Sequence, residues 1–117
     1  MNLNTQTNVP SGGVSVQKQA VNFDNMLGLL YQCLPEQGAF EVQNDQPGKE
    51  HAWHSHDTDE TIIVLDGSLR FYWEGNETIC SPGDVIELPK RTRHGSVALD
   101  DGAKYIITFE HVALENV

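Results

Sequence analysis

Residues 48–67 read GKEHAWHSHDTDETIIVLDG, and this stretch decides both the fold and the site. Side chains two apart on a strand share a face, so His54 and His56 project together, and Glu60 rejoins them after a bend at Asp57-Thr58-Asp59. Imidazole and carboxylate in one cluster suit a divalent transition metal such as Fe, Mn, Ni, Cu or Zn. A further histidine, His94, follows Pro89-Lys90-Arg91-Thr92-Arg93 where a new strand should begin, and a closed barrel brings it to the same point. A lone His-x-His pair is more often surface or hydrogen-bonded than ligating. The set His54, His56, Glu60 and His94 is judged by its spacing.

The pattern around this stretch is that of an all-β chain. From Leu30 onward, short apolar runs rich in β-branched and aromatic residues alternate with Gly, Pro, Asp and Asn: LLYQCL, AFEVQN, EHAWHSH, ETIIVL, SLRFYW, ETIC, DVIELP, HGSVAL and AKYIITFE. No segment sustains a helical period for three turns. The only helix expected is a turn within residues 21–30, after Asn22 or Asp24 and weakened by Gly28. Such short strands predict a sandwich or barrel. Residues 1–20 are polar, carry Gly12-Gly13, and are expected to be a tail or an edge strand completed by a neighbouring subunit, with the barrel over 21–117.

The spacing resembles that of the cupin superfamily. Its first motif, Gly-x5-His-x-His-x3,4-Glu-x6-Gly, is matched by Gly48, His54, His56, Glu60 and Gly67. Its second, Gly-x5-Pro-x-Gly-x2-His-x3-Asn, is matched at Gly83, Pro89 and His94, while Arg91 stands at a Gly position and Ala98 at the Asn position. The resemblance implies a small single-domain double-stranded β-helix, or jelly-roll, barrel of prokaryotic type. It also implies one divalent metal held by His54, His56, Glu60 and His94.

Four protein ligands on an octahedral ion leave two positions open, which marks a catalytic or ligand-binding site rather than a closed structural one. Among cupins such a shell supports dioxygen activation as well as isomerisation and decarboxylation. The leading expectation is an oxygenase acting on a compact chelating molecule. A ligand-binding or sensing module without turnover, and a metal-dependent isomerase or decarboxylase, are the alternatives. The intact metal quartet argues against the sugar-nucleotide epimerisation of metal-free relatives. No Ser-His-Asp or Cys-His arrangement, P-loop or dinucleotide fingerprint occurs.

Bulk properties narrow the partners. The 117 residues suffice for one core. Seven basic against 17 acidic residues, a formal charge of −10, disfavour nucleic acid and anionic membranes and leave a small-molecule ligand as the expected partner. No apolar run approaches the roughly 20 residues of a membrane helix, and the polar start Met1-Asn2-Leu3-Asn4-Thr5 is unlike a signal peptide, so a cytoplasmic protein is expected. Cys33 and Cys80 read as reduced core thiols. The strand-capable N-terminus and the need to cover barrel edges predict a homodimer.

Asp66-Gly67 reads as a two-residue hairpin turn, with Gly75-Asn76 and Asp101-Gly102 as further turns. That register pairs Val64 with Leu69, Ile62 with Phe71 and Glu60 with Trp73. It turns Glu60, Ile62, Val64, Leu69, Phe71 and Trp73 inward, and Thr61, Ile63, Arg70 and Tyr72 outward. Trp73, with Phe71 and Ile62, is then expected to wall the metal pocket, and Arg91 or Arg93 to bind an anionic group of the substrate. Strand parity turns His51 away from His54 and His56 towards solvent, and His111 lies outside either motif.

Overall fold

The computed structural model describes residues 13–115. Seven strands and one helix follow one another as β1 (Ser15–Gln17), α1 (Met26–Cys33), β2 (Glu41–Asp45), β3 (Glu50–His54), β4 (Glu60–Trp73), β5 (Asn76–Cys80), β6 (Val85–Leu88) and β7 (His94–Thr108). All pairings are antiparallel. The two long strands organise the barrel. The first half of β4 pairs with β6 and with the end of β7, and its second half pairs with β5 and the start of β7. β7 in turn carries β3 on its first half and β2 on its second, while β1 closes the edge beside β6. Two sheets thus share β4 and β7 as continuous hinges, which is the jelly-roll barrel.

The expected hairpin at Asp66-Gly67 is not formed. β4 runs straight through it, and the register of β4 against β7 shifts between Val64 and Asp66 and again between Gly67 and Leu69. Asp101-Gly102 likewise lies inside β7. Asp-Gly supplies positive φ to a bulge as readily as to a tight turn: Gly67 has φ +76° and Gly102 +72°. The bulge inserts an odd residue, so the face parity of β4 changes at the same place where a two-residue hairpin would have changed it. Ile62, Val64, Leu69, Phe71 and Trp73 therefore all join the barrel core, as the alternation predicts, although they lie along one strand and not across a hairpin. The true hairpin is the next one, where Trp73 pairs with Asn76 around Glu74-Gly75.

The other face of β4 is also buried. Ile63 packs with Val85 and Ile106 under Leu29 and Cys33 of α1. Leu30–Cys33 is thus helical where an extended run was expected. Leu29 and Cys33, four residues apart on one helical face, are the α1 residues fully removed from water. Asn25 caps the helix by accepting from the Gly28 amide at 2.9 Å. Tertiary burial outweighs the weak local propensity. Ser15–Gln17 pairs with this chain's own β6, and Val14 is buried in the barrel core. Residues 1–12 of the expected tail lie outside the described residues. Cys33 and Cys80 are free and buried. Among the described residues no helix is long and apolar enough to cross a membrane.

Candidate metal centre

His94 opens β7 directly opposite His54, the last residue of β3. Two bonds tie the loops that carry the remaining groups: the Arg91 amide donates to the His56 carbonyl at 2.6 Å, and the Lys90 amide donates to Asp59 Oδ1 at 2.9 Å. The loop before β7 is thereby sewn to the loop after β3. Arg91, at the position where the second motif has glycine, adopts φ +64°, so the left-handed backbone is kept without the glycine.

One ligand nitrogen from each of His54, His56 and His94 lies within 4.8 Å of the others. Two of these rings are pre-set by the backbone. His54 Nδ1 is 2.6 Å from the Ala52 carbonyl, and His94 Nδ1 is 2.8 Å from that of Thr92. A carbonyl only accepts, so each Nδ1 carries the proton and each Nε2 is left as the nitrogen able to ligate. This hydrogen bond to the far ring nitrogen is the support that metal-ligating histidines normally have. Glu60, at the start of β4, is buried, and its Oε2 lies 3.5 Å from His56 Nε2.

The electrostatics fit a cation. Burial, with the charges of His54 and His56, pulls His94 down to about 4 against the Thr92 bond, and burial with His54 also lowers His56. Burial and the Glu41 charge push the Glu60 carboxyl up to about 7. Neutral imidazole lone pairs and a carboxyl that resists lone ionisation are a donor set that one divalent ion satisfies at a single stroke.

These groups open on a cavity of about 310 Å³. Ile62, Leu69 and Phe71 form part of its wall, and the Phe71 ring stacks on His94 at 5.6 Å. Trp73 is not among the lining residues; it packs behind Phe71, centroid to centroid 5.7 Å. Neither arginine lines the cavity. Arg93, next in sequence to the inward His94, points to the other face and sits over Trp53 at 5.8 Å, while Arg91 extends into solvent near Asp57.

His51 is the residue that parity misplaced. The β3–β7 register shifts between His51 and His54, so two residues three apart both face inward, and His51 lines the cavity with the other histidines. Trp53 takes the outward position and meets Tyr72 edge-on at 4.8 Å. His111 belongs to neither the histidine cluster nor the cavity wall, and its Nδ1 lies 2.9 Å from Glu87 Oε1. Gln43, Ser96 and Tyr105 complete the polar wall; no motif in the sequence pointed to them, because they come from β2 and β7.

The model of the cupin domain family matches residues 41–109, more than half of the chain and all of this site. The chain belongs to the cupin family. Solved structures agree at the level of the fold. A cupin-2 domain protein from Shewanella frigidimarina is 22% identical over 79% of this cupin and 96% of its own chain, with a TM-score of 0.53. A Rhizobium leguminosarum protein of unknown function is 23% identical over 62% and 69% of the two chains, at TM-score 0.55. Oxalate decarboxylase from Bacillus subtilis is 23% identical over 65% of this cupin at TM-score 0.56, but the match spans 22% of that longer chain. No curated protein matches the sequence.

Proposed function

We propose that this cupin is a mononuclear metal-dependent enzyme, with His54, His56, Glu60 and His94 as ligands, acting on a compact, oxygen-bearing molecule that chelates the ion. The observation that carries the reading is three histidine nitrogens within 4.8 Å of one another at an open cavity, with backbone carbonyls holding two of the rings in the ligating tautomer. Bound there, a divalent ion supplies Lewis-acid polarisation of a carbonyl or carboxylate oxygen. The chain's own residues do the rest. The apolar wall of Ile62, Leu69 and Phe71 excludes water, and Gln43, Ser96 and Tyr105 offer hydrogen bonds that orient the polar end of the ligand.

Proton-transfer chemistry of the isomerase or decarboxylase type takes precedence over oxygenation in this reading, because the cavity wall carries titratable and hydrogen-bonding side chains besides the ligands. Oxygenation is the second reading, favoured by the apolar side of the same cavity, to which Ile107 and Phe109 also contribute. Elemental analysis of anaerobically purified protein, followed by parallel assays of oxygen uptake and of substrate isomerisation or decarboxylation over chelating 2-oxo and 2-hydroxy acids, tests both. Protein that neither carries nor takes up a divalent ion would sink the proposal. Oxygen consumption coupled to loss of an acid would move the second reading to first.

A further inference from the structure

Asp45, the last residue of β2, is 4% exposed and collects three side chains. The Tyr105 hydroxyl donates to Oδ2 at 2.7 Å, Gln43 Nε2 donates to Oδ1 at 3.0 Å, and His51 Nε2 lies 3.0 Å from Oδ2 and 3.2 Å from Oδ1. Burial by itself would raise the Asp45 carboxyl, but the bonds from Tyr105, Gln43 and His51 outweigh it and hold the group below the usual carboxylate range. Asp45 is therefore an anion, and an anion only accepts. His51 Nε2 must carry the proton, which leaves Nδ1 as the nitrogen able to take one. Tyr105 is no rival: burial and its bond to Asp45 raise its hydroxyl, so its proton stays in place. The bulge in β3 puts this imidazole in the wall of the metal cavity, three residues from the nearest ligand, His54.

The geometry points to His51 as the acid–base catalytic residue of the cavity and Asp45 as the residue that positions it, serving 2-oxo or 2-hydroxy acids that chelate through two oxygens. The inference rests on the metal-dependent reading above and names the substrate class for it. In the step, the carbon–hydrogen bond next to the substrate's carbonyl would break, its electron pair would move into the carbonyl, and the proton would go to His51 Nδ1. The imidazolium that results is paired with Asp45, as a buried carboxylate serves an imidazole in hydrolytic triads. Return of the proton to either face or to a neighbouring atom completes an isomerisation or exchange, and no oxidant or reductant is consumed.

The test uses the full chain loaded with Zn(II) and pyruvate as the probe, with solvent deuterium uptake at the methyl group followed by NMR. The loaded protein should take up deuterium faster than the same concentration of free Zn(II). His51→Gln, whose amide can still donate to Asp45, should retain one Zn(II) per chain and lose the exchange by about 100-fold. Long-range 1H–15N spectra should show His51 as the Nε2–H tautomer, and Asp45→Asn should shift that signature while zinc stays bound. Exchange at the wild-type rate in His51→Gln, uptake no faster than with free Zn(II), or an Nδ1–H tautomer would each overturn the role of His51. Protein that binds no Zn(II) would instead overturn the metal reading on which the inference stands.

Discussion

Gly67 of β4 lies against Gly102 of β7 so closely that a Cβ at position 67 would stand 2.1 Å from the Gly102 carbonyl oxygen. Two Asp-Gly pairs that read as hairpin tips are thus the point where the two hinge strands cross. At a free hairpin tip, Gly67→Asn would be mild, since Asn tolerates positive φ. In the crossing strands Gly67→Ala and Gly67→Asn should both cost about 3 kcal/mol or more, from backbone overlap and strain together. Urea unfolding measures it; an Asn variant within about 0.5 kcal/mol of the wild type would argue for the hairpin.

Replacing His56 or His94 by Ala should weaken binding of a divalent ion by at least about 100-fold, since each removes a ligand and not merely its support. Titration calorimetry with Zn(II) or Mn(II) reads this directly. His51→Ala should keep the ion, because His51 is not one of the three histidines whose nitrogens cluster and its Nε2 is engaged by Asp45. Loss of the ion in His51→Ala equal to that in His56→Ala would show that the cluster has a different membership.

Glu60 couples the stability of the metal-free fold to pH. Its carboxyl is raised from 4.5 to about 7 in the metal-free fold by burial and Glu41, so the folded state holds the proton more tightly than the unfolded chain. The stabilisation this gives is complete below pH 4.5 and is lost as pH rises through about 7. Metal-free Glu60→Gln should therefore gain stability over the wild type as pH climbs through that window, by roughly 3 kcal/mol at most. Saturating Zn(II) should reverse the difference at pH 8. A pH-independent difference between the two proteins would contradict the assigned environment of Glu60.

Arg91 adopts φ +64° at the position where the second motif has glycine, and its amide holds the His56 carbonyl. Only backbone geometry is required there, since the guanidinium is exposed beside an exposed Asp57 and that pair is worth little. Arg91→Gly should raise the melting temperature slightly, with a gain of up to about 1 kcal/mol and unchanged metal affinity. Arg91→Pro removes the amide donor and should lower both.

Much of this cupin is local in origin and could be read from the chain alone. Alternation within ETIIVL grouped Ile62 with Val64, and within SLRFYW grouped Leu69 with Phe71 and Trp73, because side-chain direction within an unbroken strand follows its own backbone. The bulge at Asp66-Gly67 puts the two groups on one face. The resemblance to the cupin motifs singled out His54, His56, Glu60 and His94, and all four line the cavity. Tertiary structure decided the rest. Whether Asp66-Gly67 turns the chain or bulges depends on β7 lying alongside both halves of β4, a partnership that runs from Thr61 with Thr108 to Trp73 with His94. Helix α1 forms where local propensity was weak, because Ile63, Val85 and Ile106 offer Leu29 a dry surface. His51 was assigned to solvent because parity holds only in an unbroken strand. The bulge between His51 and His54, and the Asp45 carboxylate waiting across from β2, turn it into the cavity. Register shifts and buried polar hubs are set by which strands meet, and periodicity within one strand carries no record of its neighbours.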